Sequence, residues 1–263
     1  MKPETHNLNP LLDRVEAIAR DAGAAIMAIY GGGFHVESKD DQSPLTEADT
    51  AANRLITQAL NDLAPGIPVL SEEAVEDFHG PNEQGRYWLV DPLDGTKEFI
   101  KRNGEFTVNI ALIEQGRPML GVVHAPAMNL LYAAAAGVGA YKVDARGERT
   151  SIRVAAHAEG TPWRVVGSRS HAVDSLKDFL DRLGQYELVP MGSSLKFCLV
   201  AEGAADLYPR FGPTSLWDTA AAQCVVEQAG GRVLDLESKS LGYGNPEIRL
   251  NPYFIVYGGS KGK

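Results

Sequence analysis

Cysteine is scarce in this 263-residue chain. The two present, Cys198 and Cys224, sit far apart with no CxxC run or Cys/His cluster. That pattern excludes a thiolate metal site and a disulfide scaffold, and leads us to expect two buried, reduced thiols in a cytoplasmic protein. Basic charge is also in deficit: 25 Lys and Arg stand against 34 Asp and Glu, a formal net charge of −9. A nucleic-acid polymer or an anionic membrane would need a dense basic surface, so neither is expected as the main partner. A small anionic substrate is not excluded, because bound metal ions reverse the local sign of an acidic site. Long apolar runs are missing, so no segment should span a bilayer. The start, Met1 to His6, has no apolar secretory stretch. There is no GxSxG elbow, and neither cysteine neighbours a base, which argues against a covalent Ser or Cys nucleophile.

What is present is globular, with 44% hydrophobic and 22% charged residues. A chain this long can bury about 70% of its surface. Apolar residues at helical spacing from Leu11 to Ile29, after Asn9-Pro10 and before Gly31-Gly32-Gly33, predict a first helix. Phe34 to Lys39 reads as a strand and Asp40 to Pro44 as a polar turn. Thr46-Glu47-Ala48-Asp49 then fits a capping box opening a second helix. Short apolar runs bounded by Gly, Pro and Asn between Ile67 and Val143 predict an antiparallel meander. From Thr161 strands and helices alternate, with helices at 195–202 and 217–229, which implies an α/β half. The expected division is 1–155, an α+β half, and 156–263, an α/β half, closely packed across a boundary at 146–160.

The densest chemical signal is Trp88-Leu89-Val90-Asp91-Pro92-Leu93-Asp94-Gly95-Thr96. An apolar strand delivers Asp91 to its carboxyl end, Pro92 fixes a turn, and Asp94 follows three residues later. Two carboxylates and the Leu93 carbonyl can converge on one hard cation, for which Mg²⁺ suits oxygen ligands. The Gly95 and Thr96 amides, at a helix start, suit a phosphate. Other acids have ordinary readings beside functional ones. Glu72 and Glu73 end a short strand and would equally suit a solvated loop. Asp218 opens a small-residue helix, where the macrodipole alone favours an acid. Asp49 is the acid of the capping box.

Together, Ser43-Pro44-Leu45-Thr46-Glu47-Ala48-Asp49, Ser71-Glu72-Glu73, the DPLDGT run and Trp217-Asp218-Thr219-Ala220-Ala221 resemble the inositol monophosphatase superfamily over nearly the whole chain. Ser71 stands where many relatives have Gly. The resemblance implies a layered α-β-α-β-α sandwich and a Mg²⁺-dependent, lithium-sensitive phosphatase. Lys97-Glu98-Phe99 and the run to Ile110, Gly192 to Cys198, Asp206 to Phe211 and Leu250-Asn251-Pro252 resemble its bacterial 3′(2′),5′-bisphosphate nucleotidase branch. That branch removes the 3′-phosphate of adenosine 3′,5′-bisphosphate, a by-product of sulfate assimilation, giving AMP; 3′-phosphoadenylyl sulfate is a further candidate substrate.

By this resemblance Glu72, Asp91, Asp94, Asp218 and the Leu93 carbonyl hold Mg²⁺. Asp49 and Thr96, with Glu72, orient and activate water. Gly95 and Thr96 meet the phosphate, and Ser193, Lys196, Arg210 and His171 meet the nucleotide. His171 reads equally well as a surface residue, and Lys196 as a solvated helix charge. Direct attack by metal-activated water, without a phosphoenzyme, follows. The rivals are an inositol or sugar phosphatase on the same scaffold, and a non-catalytic metal or nucleotide binder. A glycosidase using Asp91 and Asp94 is disfavoured, because its acids must flank the sugar bond. Relatives often form homodimers and some lie on the inner face of the membrane, but no interface patch or anchor is legible here.

Overall fold

A computed structural model describes residues 8–33, 36–38, 44–167 and 174–259. Helix α1 (Asn9–Tyr30) has Pro10 in its first turn and buries Leu12, Val15, Ile18, Ala19, Ala22 and Ile26 as one stripe. A two-stranded ribbon, β1 (Val36–Ser38) and β2 (Pro44–Thr46), leads into α2 (Glu47–Leu63), which buries Ala52, Ile56 and Leu60. The two helices cover one face of a seven-stranded sheet. Its strands, in spatial and sequence order alike, are β3 (Val69–Ser71), β4 (Arg86–Asp94), β5 (Thr107–Glu114), β6 (Arg117–Ala125), β7 (Leu130–Ala135), β8 (Gly139–Val143) and β9 (Arg149–Ser151), with the short helix α3 (Thr96–Ile100) between β4 and β5. From β4 onward this is the expected meander; β3, however, runs parallel to β4. That parallel pairing brings the carboxyl ends of both strands to the same edge of the sheet.

The second sheet has the order β11-β10-β12-β14-β13, built from β10 (Trp163–Gly167), β11 (Tyr186–Pro190), β12 (Leu207–Arg210), β13 (Arg232–Asp235) and β14 (Phe254–Tyr257). Helices α5 (Leu195–Ala201) and α6 (Ala220–Gln228) lie between the two sheets, and α4 (Asp174–Leu183) lies outside the second. The layers therefore run α, β, α, β, α.

Strand alternation explains how β4 serves two cores. Trp88 and Val90 face α1 and α2, while Tyr87 and Leu89 face the layer of α5 and α6. Buried on both faces, the strand reads as a continuous apolar run. Helix α6 lies directly on the sheet: a Cβ at Gly121 would come within 2.2 Å of the Ala221 carbonyl oxygen. Ala134 and Ala220 to Ala222 are buried in this packing, as close approach requires, while Ala133 and Ala135 face the α1 and α2 side. Cys198 and Cys224 are free and buried in the same layer.

Helix α6 starts three residues later than the periodicity predicts. Residues 215–219 form tight turns instead, with the Asp218 and Thr219 amides donating to the Ser215 and Leu216 carbonyls. Asp218 Oδ2 accepts the Ser215 amide at 2.9 Å, stabilising that turn in place of a helical start. Of the segment expected as a strand at 34–39, residues 36–38 are β1; the turn expected at 40–44 lies outside the described residues except for Pro44, in β2. Among the described residues no helix is long and apolar enough to cross a membrane.

Candidate active site

The site is built where β3 and β4 end. One carboxylate oxygen each from Glu72, Asp91 and Asp218 lies within 4.8 Å of the others. Glu72 follows β3 and its amide donates to the Val90 carbonyl, so the parallel pairing itself carries Glu72 to Asp91. Asp91 is buried, and its Oδ1 accepts the Leu93 amide at 3.0 Å, closing the Pro92 turn. The β4–β5 register breaks between Asp91 and Asp94, so Asp94 can turn back toward the cluster.

Asp94 stands beside the triad rather than within it. Its Oδ2 is saturated by donors from two elements: the Ser194 amide at 2.6 Å, the Ser194 hydroxyl at 2.8 Å, and Thr107 Oγ1 and Asn109 Nδ2 at 3.4 Å each. Ser194 Oγ also lies 2.9 Å from the Asp218 carbonyl, so its one proton serves Asp94 Oδ2 or that carbonyl in turn. Ser194, Thr107 and Asn109 were not among the sequence candidates. Thr107 and Asn109 carried a signal, being polar residues on one face of a strand otherwise filled with apolar side chains.

Asp49 closes the capping box and also meets Thr96. Its Oδ2 accepts the Thr46 amide at 2.8 Å and the Thr46 hydroxyl at 2.6 Å, closing the capping box. Its Oδ1 accepts the Thr96 hydroxyl at 3.3 Å. Thr96 opens α3, after Gly95 at a φ of 92°.

The electrostatics of the cluster point to a cation. Burial, then the charges of Glu72, Asp94, Asp218 and Asp49, push the Asp91 carboxyl well above the usual carboxylate range. Burial, Asp94 and Glu72 push Asp218 up to about 8, against the Ser215 amide and Arg210. Several carboxylates forced together out of water are stable when protonated or when bound to a hard cation. All the donors are oxygens, the set that Mg²⁺ or a similar ion takes. Glu72, Asp91 and Asp218 thus fit a metal ion, and Asp94 stands next to them.

Lys196, which feels the charges of Asp94 and Asp218, is half-buried on α5, its ammonium 5.5 Å from the centre of the Tyr208 ring. Ser193 is buried. Arg210 ends β12, its guanidinium donating to Thr214 Oγ1 at 3.1 Å and to the Pro213 carbonyl at 2.8 Å. His171 lies outside the described residues.

Residues 7–256 match the model of the inositol monophosphatase family. The chain belongs to that family. It is 55% identical over 248 residues to a 3′(2′),5′-bisphosphate nucleotidase, CysQ, of Shigella flexneri, covering 94% of this chain and 99% of that protein. Among solved structures it is similar to CysQ of Bacteroides thetaiotaomicron, a bacterial member of the family, with 37% identity, a TM-score of 0.80, and 97% and 99% of the two chains covered. It is also similar to an IMPase of Thermotoga maritima, with 30% identity, a TM-score of 0.77, and 95% and 92% covered. These similarities bear out the fold class and make the chain a phosphatase; the family is metal-dependent, and the Glu72, Asp91 and Asp218 cluster is an acidic group that could hold a metal ion.

Proposed function

We propose that this chain hydrolyses the 3′-phosphate of adenosine 3′,5′-bisphosphate, giving AMP and phosphate, with Mg²⁺ as the cation. The observation that carries the chemistry is the Thr96–Asp49 hydrogen bond set beside the carboxylate cluster. The substrate is supported by the 55% identity to a bisphosphate nucleotidase and by two cations, Lys196 and Arg210, that interact with each other near the carboxylates. 3′-Phosphoadenylyl sulfate presents the same 3′-phosphate and is the expected second substrate.

Magnesium bound at Glu72, Asp91, Asp94, Asp218 and the Leu93 carbonyl would neutralise the phosphate dianion and lower the barrier to attack by water. The protein's own groups do the rest. The Thr96 hydroxyl, its proton turned to Asp49 Oδ1 at 3.3 Å or to the Leu93 carbonyl at 3.4 Å, offers its lone pairs to an incoming water, so water is held by oxygen acceptors and its own lone pair stays free for phosphorus. Asp49 and Glu72 are the acceptors for the proton that water gives up. The Gly95 and Thr96 amides face the phosphate at the start of α3. Lys196 and Arg210 take the 5′-phosphate, and Ser193 and His171 the nucleoside. Attack is direct, since no nucleophilic side chain is needed. The buried free thiols of Cys198 and Cys224 fit a reducing, cytoplasmic setting in which this nucleotide is recycled during sulfur assimilation.

Phosphate release from adenosine 3′,5′-bisphosphate and from inositol 1-phosphate, compared with Mg²⁺, with added Li⁺ and with a chelator, tests this reading. We expect the nucleotide to be preferred, Mg²⁺ to be required and Li⁺ to inhibit. A clear preference for the inositol ester would refute the substrate assignment, and trapping of a phosphoprotein during turnover would refute direct attack.

A further inference from the structure

The segment 97–106 follows the phosphate-facing turn and has no part in the reaction above, yet it grips the loop that precedes α5. The Gly192 amide donates to Glu105 Oε2 at 2.8 Å in a buried hydrogen bond. Glu105 itself is 7% exposed, and its own amide donates to Asn103 Oδ1 at 2.9 Å. There is no room for a side chain at Gly192: a Cβ would lie 2.8 Å from the Glu105 carbonyl oxygen, 2.9 Å from Glu105 Cβ and 2.9 Å from Glu98 Cγ. Glu98 also reaches Gly95, where a Cβ would be 3.4 Å from its Oε2. Glu98 is therefore wedged between the phosphate-facing turn and the Gly192 loop.

The next residue, Ser193, has a φ of 47°. L-residues avoid that conformation, and it persists only where its surroundings hold it. The holding points lie on either side of it. Glu105 fixes the Gly192 amide, and Asp94 fixes the Ser194 amide and hydroxyl. Immediately afterwards α5 begins, with Lys196 in its first turn. Glu98 is among the negative charges that offset burial of the Lys196 ammonium, together with Asp94 and Asp218.

We infer that Glu105, with Glu98 as its neighbour in the wedge, is a positioning residue for substrate selectivity: it holds the 192–196 loop so that Ser193 and Lys196 meet the part of the substrate remote from the scissile phosphate. This rests on the nucleotide reading above. Asp94 clamps the loop to the metal cluster and Glu105 clamps it to the substrate side. A substrate with a second anionic group depends on both clamps, whereas a phosphate ester without one depends on Asp94 alone.

The test compares full-length wild type with Glu105→Ala on adenosine 3′,5′-bisphosphate and on p-nitrophenyl phosphate. The KM for the bisphosphate should rise about tenfold with kcat within about threefold of wild type, the pattern of lost binding common to ground and transition states. Hydrolysis of the aryl ester and its Mg²⁺ requirement should be unchanged. Glu105→Gln keeps an acceptor oxygen for the Gly192 amide and should restore the KM. Glu98→Ala loosens the same wedge from the other side, should reproduce the selective defect in weaker form, and replaces Glu105→Ala if that variant does not fold. Amide exchange over 190–196 should quicken in Glu105→Ala. An unchanged KM, or an equal loss on both esters, overturns the inference. A wild-type enzyme that leaves the bisphosphate intact would instead refute the nucleotide reading; faster exchange in Glu105→Ala would then still support the holding role, and unchanged exchange would overturn it.

Discussion

Asp49 joins a helix cap to the candidate catalytic apparatus through its two carboxylate oxygens. Because Oδ2 serves Thr46 and Oδ1 serves Thr96, the two roles can be separated by mutation. Thr46→Ala removes the side-chain acceptor of the Ala48 amide and one donor to Asp49. It should cost about 1 kcal/mol of stability, the usual value of an N-cap, with kcat within a few-fold of wild type. Asp49→Ala should lower stability and also reduce kcat roughly 10²–10⁴-fold, the range for loss of acid–base help. Thermal melts and kcat measured on the same preparations check both, and a Thr46→Ala enzyme as crippled as Asp49→Ala would show that the two oxygens do not act separately. Ser194 is the second instructive residue. Its amide donates to one oxygen of Asp94, and its hydroxyl lies within hydrogen-bond distance of both that oxygen and the Asp218 carbonyl, its one proton serving either. It thereby ties the turn after β4 to the turn before α6. Ser194→Ala should reduce kcat by roughly 10–100-fold and raise the Mg²⁺ concentration for half-maximal rate, as loss of a residue supporting metal ligands does. A metal titration of activity distinguishes this from simple loss of fold.

Among the elements, α1 depends on a histidine the active site does not use. His124, near the end of β6, is buried against α1 and its Nδ1–H donates to the Ala19 carbonyl at 2.9 Å. Burial, with a smaller contribution from Arg20, lowers its pKa to about 4, against the favourable Ala19 bond. The unfolded chain, near the usual 6.5, then binds more protons than the folded one between pH 6.5 and 4. Stability from this group is therefore full above pH 6.5 and is lost as pH falls toward 4, by about 3 kcal/mol. His124→Asn keeps a donor near Nδ1 but cannot titrate, so its melting temperature should fall less steeply across that window; parallel acid limbs would rule His124 out as the cause. Sequence periodicity made α1 and α2 legible because their buried stripes are sharp and their ends are marked by Pro10, Thr46 and Pro65-Gly66. It placed the start of α6 too early because Ala220 to Ala222 continue a pattern that Trp217 and Thr219 also fit. Whether Asp218 caps a helix or the turn at Ser215 is decided by which amide it meets in space. The parallel pairing of β3 was likewise invisible, since a three-residue strand carries no mark of direction.

At the scale of the whole molecule, the acids of the site were legible because DPLDGT concentrates them in one turn, while Glu72, Asp49 and Asp218 were individually ambiguous. Only the layered fold brings residues from the ends of β3 and β4, the cap of α2 and the turn before α6 to one place. Thr107, Asn109 and Ser194 escaped notice because their partner, Asp94, is distant in sequence. The formal charge of −9 thus has an uneven distribution, with several of its acids pressed together around a buried Asp91. Without a cation that concentration opposes folding, since burial and mutual repulsion both penalise the ionised carboxylates. Binding of Mg²⁺ should therefore be coupled to stability. At a free ion concentration a hundred times its dissociation constant the gain is about 2.7 kcal/mol, which for a chain of this size raises the melting temperature by roughly 5–10 °C. A chelator should reverse the gain, and Na⁺ at equal ionic strength should not replace it. Asp91→Asn separates the cause from general salt effects. It removes one of the repelling charges and one of the proposed ligands together, so the metal-free variant should melt above the metal-free wild type while gaining little from Mg²⁺. Calorimetry of the two proteins with and without the ion decides the matter: if Asp91→Asn melts lower than wild type without metal and gains equally with it, the repulsion is not what the cation relieves.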